Sequence, residues 1–239
     1  MPPTRLHADE VDIDASLARR LVTEQVPEYA ALPLRRVASG GTDNAVFRLG
    51  DDFALRMPLH PRAVGGLLKE IRWLPVVAEH VSLDVPQVVA TGESGEGYPF
   101  PWAVVRWLTG EDALTAHINS MSETARALGR FVAELQSIDM TDAPKPGSEG
   151  FSRGLPLLGR DAHFRAALAQ CDGLVDTQRA AEVWDDALAV PAWDGPPVWL
   201  HADLLPSNVL VRDGRVAGVL DFGTMATGDP AYDVTPAWH

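Results

Sequence analysis

Residues 201–223 read HADLLPSNVLVRDGRVAGVLDFG. This stretch constrains the fold more than any other part of the chain. Asp213-Gly214 is a two-residue turn signal between the apolar runs VLVR and RVAGVL, so it predicts a tight β-hairpin. With that turn, Arg212 faces Arg215 and, along an unbroken ladder, Pro206 faces Asp221. Asn208 then lies two residues from the partner of Asp221, roughly 7 Å away at about 3.3 Å per residue. An amide oxygen and a carboxylate at one end of a hairpin can share a hard cation. Mg2+ prefers such oxygen ligands and completes its shell with water and phosphate. Asp203 precedes the hairpin, where a carboxylate can face the same cation without binding it and accept a proton from an attacking hydroxyl. A base and two metal ligands are parts that phosphoryl transfer needs.

The totals narrow the partners. The formal net charge is -13 over 239 residues. That field repels phosphate backbones and argues against nucleic acid as a ligand. It is compatible with a cationic small molecule, and acid pairs such as Asp185 and Asp186 could attract one, although such pairs more often form a solvated helix face. The single cysteine, Cys171, excludes a disulfide framework or a cysteine-based zinc site. The first residues, MPPTRLHADEVDID, lack the apolar core of a signal peptide. No apolar run approaches a membrane span, so a cytoplasmic protein without membrane contact is expected.

Pattern along the chain predicts an α+β protein in two lobes. A helix is expected over 14–26. AVFRLG and FALRM flank Gly50-Asp51-Asp52 as a hairpin, a helix follows over 63–80 with a kink at Pro75, and VPQVVATG and PWAVVRWL read as two further strands. After Gly110 the character turns helical. Ser120 and Glu123 form a capping-box pattern ahead of TARALGRFVAELQSI, and further helices are expected over 159–171 and 176–189. The division is a β-rich nucleotide-binding lobe at 1–109 and a mainly helical catalytic lobe at 110–239, joined by a peptide at 105–110.

HADLLPSNVL followed by LDFGTMATGDPAYD resembles the aminoglycoside phosphotransferase family, which shares its fold with protein kinases. The likeness runs from about residue 30 to 239. It implies a protein-kinase-like two-lobe fold, with Asp203 as catalytic base, Asn208 and Asp221 as Mg2+ ligands, His201 ordering the loop, and Asp229 and Asp233 as braces. SGGTDN at 39–44 occupies the place of the nucleotide-covering loop, which implicates Ser39, Gly40, Gly41 and Thr42 in phosphate binding. FALR resembles the V-A-I-K strand of kinases, with Ala54 leaving room for an adenine ring. Arg56 stands where the family usually has Lys, and its planar fork can grip two phosphate oxygens. Glu70 lies on the apolar face of its helix beside Leu67, Ile71 and Leu74, where a carboxylate needs a partner. By the likeness that partner is Arg56. VVRWLTG resembles the hinge, so the backbone of Arg106 and Leu108 would meet the purine of ATP or GTP, while Trp102 and Trp107 are expected to pack.

The implied activity moves the γ-phosphoryl of a nucleoside triphosphate to a small-molecule hydroxyl, with an aminoglycoside or related antibiotic as the expected acceptor. The alternatives are a metabolite kinase of choline, homoserine or sugar type, or a truncated nucleotide-binding protein without turnover. The absence of the H-R-D arginine and of a long activation segment favours small acceptors over proteins. Family members usually continue with further helices beyond the equivalent of DPAYDVTPAW, so a truncated or short variant is expected.

Overall fold

The computed structural model describes residues 8–37, 43–148 and 153–238. Its first lobe is built on a five-stranded antiparallel sheet. The strands are β1 (Leu34–Arg36), β2 (Asn44–Leu49), β3 (Phe53–Pro58), β4 (Val88–Gly92) and β5 (Trp102–Arg106), in the order β1-β2-β3-β5-β4. Alternation along the strands gives the sheet two apolar faces. Phe47, Leu49, Leu55, Met57, Trp102 and Val104 pack together with Ala18, Leu21 and Val22 of helix α1 (Ala15–Gln25). Asp14 caps α1 by accepting from the Leu17 N–H at 2.7 Å. Ala54, Ala103 and Val105 meet Leu67 of helix α2 (Pro61–Ala78). Each large side chain removed from water here contributes about 1.5–3 kcal/mol.

Helix α2 starts with proline in its first turn, where a missing N–H costs nothing. It runs on through Pro75 to Ala78. Its ends serve different lobes. Leu67 faces the sheet, whereas Trp73, Leu74 and Val77 join a second core with Phe131, Leu135, Trp199, Leu200, Val219 and Phe222.

The second lobe contains α3 (Met121–Gln136), α4 (Asp161–Leu168) and α5 (Thr177–Ala189), with short strands β6 (Glu111–Asp112), β7 (Val198–Leu200), β8 (Val209–Arg212), β9 (Arg215–Val219) and β10 (Ala226–Gly228). Ser120 caps α3 by accepting from the Glu123 N–H, as its pattern predicts. The helix expected over 159–171 is shorter, because Leu157–Arg160 forms a 3-10 turn ahead of α4. Neither α4 nor α5 has a fully buried residue. They are joined by the stacked rings of Phe164 and Trp184, 4.2 Å apart, by Arg165 bonded to Asp185, and by the Trp184 Nε1–H donating to Asp161.

The hairpin β8–β9 turns at Asp213-Gly214, and both residues have positive φ, as this tight turn requires. Arg212 pairs with Arg215 as expected. The unbroken ladder does not follow. A register shift puts Leu210 opposite Gly218 and Val209 opposite Val219, so β9 carries one extra residue, Ala217. The Ala217 carbonyl accepts from the Asp84 N–H at 3.0 Å, and Val219 donates to the Asp84 carbonyl at 2.9 Å. The bulge therefore moves Asn208 one residue nearer the level of Asp221. Among the described residues no helix is long and apolar enough to cross a membrane.

Candidate active site

The loop between β7 and β8 carries His201, Asp203 and Asn208. It begins with a strained residue: Ala202 has φ +65°. A non-glycine residue there costs roughly 1–2 kcal/mol. The loop is held by Asp233, a buried carboxylate that accepts from the His201 N–H at 2.6 Å and the Ala202 N–H at 2.8 Å. Burial pushes the Asp233 carboxyl above its ordinary range, against the pull of the two N–H donors. His201 is fully buried, edge-on to the Phe222 ring at 4.6 Å. Its Nε2 lies 2.9 Å from the Leu220 carbonyl and its Nδ1 accepts from the Asp203 N–H at 3.2 Å. The network thus assigns the neutral tautomer with the proton on Nε2. His201 ties the loop to the strand that leads to Asp221.

Asn208 Nδ2 donates to the Asp203 carbonyl at 2.9 Å and lies 3.5 Å from Asp203 Oδ2. With its nitrogen so engaged, the amide presents Oδ1 as the open acceptor. Asp221 also has positive φ, +61°, and its half-exposed carboxylate comes within 3.8 Å of Arg56 Nη2. Non-glycine residues in this conformation cluster at functional sites. These two oxygen donors fit Mg2+, which binds through few protein carboxylates and keeps water and phosphate oxygens. Among the described residues no group of three or more His, Cys, Asp or Glu could hold a metal by itself.

Arg56 and Glu70 meet in the wall between the lobes. Arg56 Nη1 spans both carboxylate oxygens, at 2.8 and 2.6 Å, and Glu70 is 1% exposed. Burial pushes the Glu70 carboxyl up while Arg56 pulls it back. Burial likewise opposes charge on Arg56, but attraction to Glu70 and Asp221 outweighs it and holds the guanidinium above its usual value. Glu70 Oε1 also accepts from the Phe222 N–H at 2.9 Å, a bond the sequence pattern did not disclose. One residue earlier, Lys69 donates to the Met225 carbonyl at 3.1 Å. Gly66 fits tightly under the same loop: a Cβ there would meet the Gly223 carbonyl at 3.1 Å. Helix α2 thus orients the cation and the loop bearing Asp221 together.

At the peptide joining the lobes, the Arg106 N–H donates to the Gln87 carbonyl at 2.8 Å. It is committed to the sheet, which narrows the expectation there to the Arg106 carbonyl. The Leu108 N–H has no backbone partner among the described residues. Trp102 is fully buried, and Trp107 carries the Arg48 guanidinium 4.0 Å from its ring centre. Ser39, Gly40, Gly41 and Thr42 lie outside the described residues.

Sequence reasoning missed Arg153. Its Nη1 bonds Asp203 Oδ1 at 2.6 Å and also the Ala202 carbonyl. It lies in an irregular loop fifty positions from Asp203, with no periodicity or motif to mark it.

A sequence model of the phosphotransferase enzyme family matches residues 34–239. Among solved structures, the GDP complex of aminoglycoside 2'-phosphotransferase-IIIa superposes with TM-score 0.73 at 21% identity, over 93% of this chain and 77% of that one. The macrolide 2'-phosphotransferase MphH from Brachybacterium faecium gives 0.67 at 28% identity, over 93% and 76%. Among curated relatives, a homoserine kinase of Gluconacetobacter diazotrophicus is 46% identical over 56 residues, and one of Gluconobacter oxydans is 29% identical over 134. These matches cover 21% and 56% of this chain and span only 17% and 41% of the relatives' lengths. The family match takes in both lobes and every described residue of the site, and on that ground the chain belongs to the phosphotransferase enzyme family.

Proposed function

We propose that the chain transfers the γ-phosphoryl group of a nucleoside triphosphate to a hydroxyl of a small molecule. The observation that carries this reading is that Asn208 meets Asp203 on one side and accepts from the Leu220 N–H, just before Asp221, on the other, and that Asp221 lies 3.8 Å from Arg56 of the Arg56–Glu70 pair. Asp203 accepts the hydroxyl proton as the hydroxyl oxygen forms its bond to the γ-phosphorus. The bond to the β,γ-bridging oxygen breaks, and the nucleoside diphosphate leaves. Arg56, fixed by Glu70, grips phosphate oxygens through its unused donors. Asn208 Oδ1 and Asp221 would hold Mg2+, which when bound neutralises phosphate charge. The Arg106 carbonyl and the Leu108 N–H receive the purine edge. A purine read by backbone is compatible with ATP or GTP, and the segment at 39–42 would cover the phosphates. A nucleoside triphosphate as donor fits a cytoplasmic setting.

The acceptor has two candidate classes. The structural neighbours' names support an antibiotic such as an aminoglycoside or macrolide, and the short curated matches support a hydroxylated metabolite such as homoserine. The test is melting-temperature shift with ATP or GTP and Mg2+, followed by nucleotide consumption across aminoglycosides, macrolides, amino alcohols and hydroxy acids. Asp203→Ala should leave nucleotide binding nearly unchanged and slow transfer by roughly 10²–10⁴-fold. Equal losses of affinity and rate would make Asp203 a metal ligand or a structural residue. Nucleotide binding with no turnover on any acceptor would reduce the chain to a binding protein.

A further inference from the structure

The two oxygens of Asp203 face different neighbours. Oδ2 is the one near Asn208 Nδ2, on the side of the expected metal ligands. Oδ1 is held by Arg153 Nη1, on the other side. A cation therefore stands beside the base, on the oxygen that is not turned toward Asn208. Arg153 is not loosely placed. Gly154, next in the chain, has φ +75°, and its carbonyl accepts from the Asp229 N–H at 3.1 Å. A Cβ on Gly154 would come within 2.5 Å of Leu200 and 3.3 Å of the Gly228 Cα, so only glycine brings the loop this close to β7 and β10. The guanidinium uses one nitrogen on Asp203 and Ala202, and its Nη2 and Nε take no partner among the described residues. About a third of the side chain remains exposed, at 35%. Lys69 lies near enough for the two positive charges to act on each other.

We propose that Arg153 anchors a carboxylate on the acceptor, so that the substrate is a small hydroxy acid and not a polycation. The proposal rests on the phosphotransfer reading above and narrows it. A planar guanidinium with open donors matches a carboxylate, and a point beside two cations repels an ammonium. Because Arg153 is bonded to the base itself, the carboxylate and the attacking hydroxyl sit within a few bonds of each other. This departs from the cationic acceptor with which the chain's net charge is compatible.

The test uses the whole chain with Mg2+ and a non-hydrolysable nucleotide. Glycerate, hydroxybutyrate and homoserine are titrated, each beside its amide, with melting temperature as the readout. At least one acid should bind in a saturable way and more tightly than its amide. Arg153→Ala should weaken acid binding roughly 10- to 100-fold, as expected for hydrogen bonds to a charged group, with nucleotide binding unchanged. Arg153→Lys should recover part of the loss. In turnover, the loss should fall on the acceptor KM more than on kcat. The proposal is overturned if acids and amides bind equally, or if no acid binds. It is also overturned if Arg153→Ala weakens the nucleotide and acceptors of every charge alike, which would assign the guanidinium to the transferred phosphoryl group. Acid binding through Arg153 without nucleotide consumption would refute phosphotransfer and leave the anion site standing. Turnover confined to neutral or cationic acceptors would do the reverse.

Discussion

Glu70→Ala removes more than an orienting partner. The carboxylate has 1% exposure and serves two donors, Arg56 Nη1 and the Phe222 N–H. Its loss leaves a largely buried guanidinium with the Asp221 oxygen at 3.8 Å as its nearest carboxylate among the described residues, and a weaker pull from Asp43. It also leaves a buried backbone N–H without an acceptor. Breaking one side of a buried ion pair costs about 3–5 kcal/mol, and an unsatisfied buried donor about 1–3 kcal/mol. The two costs overlap because relaxation and water entry relieve both, so about 3–5 kcal/mol is expected in all. For a chain of this size that lowers Tm by about 6 °C or more. Turnover should fall as well, since Arg56 and the loop bearing Asp221 both lose their brace. Glu70→Gln keeps an acceptor for Phe222 and should cost less than the alanine variant. The double variant Arg56→Ala/Glu70→Ala should lose less than the sum of the single losses, because the second change removes the uncompensated charge. Urea unfolding of the four proteins, with kcat/KM for the nucleotide measured alongside, gives the full cycle. A stability loss below about 1 kcal/mol for Glu70→Ala, or strict additivity in the cycle, would refute the coupling.

Asp221→Ala should abolish the tightening of nucleotide binding by Mg2+, and a mutant with the parent's Mg2+ dependence would remove Asp221 from the metal site. Ala202→Gly should raise stability or leave it level, because relief of about 1 kcal/mol of left-handed strain offsets glycine's entropy in the unfolded chain. A clear loss in chemical denaturation would show that Ala202 is not strained. Asp233 has a folded pKa raised by burial, so the native state holds its proton more firmly than the unfolded chain does. Its contribution is present at low pH and is lost as pH rises from about 4 through the folded value. The stability gap between the parent and Asp233→Asn should therefore shrink across that window, and a gap that widens with pH would reverse the assignment.

What was legible in the sequence was what local chemistry writes. The Asp213-Gly214 turn announced its hairpin because only certain residues adopt its backbone. Glu70 announced a partner because a carboxylate among Leu67, Ile71 and Leu74 cannot remain unpaired. The spacing of Asp203 from Asn208 fixed one short loop. The bulge at Ala217 was invisible because its cause lies far away in sequence, in the backbone of Asp84, which claims the freed carbonyl. The same reason hid Arg153 and the second role of Glu70. Both are long-range contacts to backbone or to a distant carboxylate, and no periodicity encodes them. The pairing of the Arg106 N–H with the Gln87 carbonyl is another such long-range bond, and it leaves the Arg106 carbonyl as the group the likeness could place at a purine.

The stitch between Asp84 and the bulged strand bears on how the cleft can open. The lobes are joined by the covalent peptide between β5 and β6, at 107–110, and again by two hydrogen bonds between Asp84 and β9. A Cβ on Gly218 would come within 2.7 Å of the Asp84 carbonyl, so this seam is as close as backbones approach. Helix α2 makes a third attachment, through Glu70 to the Phe222 N–H, through Lys69 to the Met225 carbonyl, and through Trp73, Leu74 and Val77 in the second core. Sliding or twisting of one lobe on the other would break the seam at Asp84, and rotation about that seam would also strain the bonds from α2 to the loop that follows Asp221. The spacing between the peptide that joins the lobes and the hairpin β8–β9 beneath it is thereby held from more than one side.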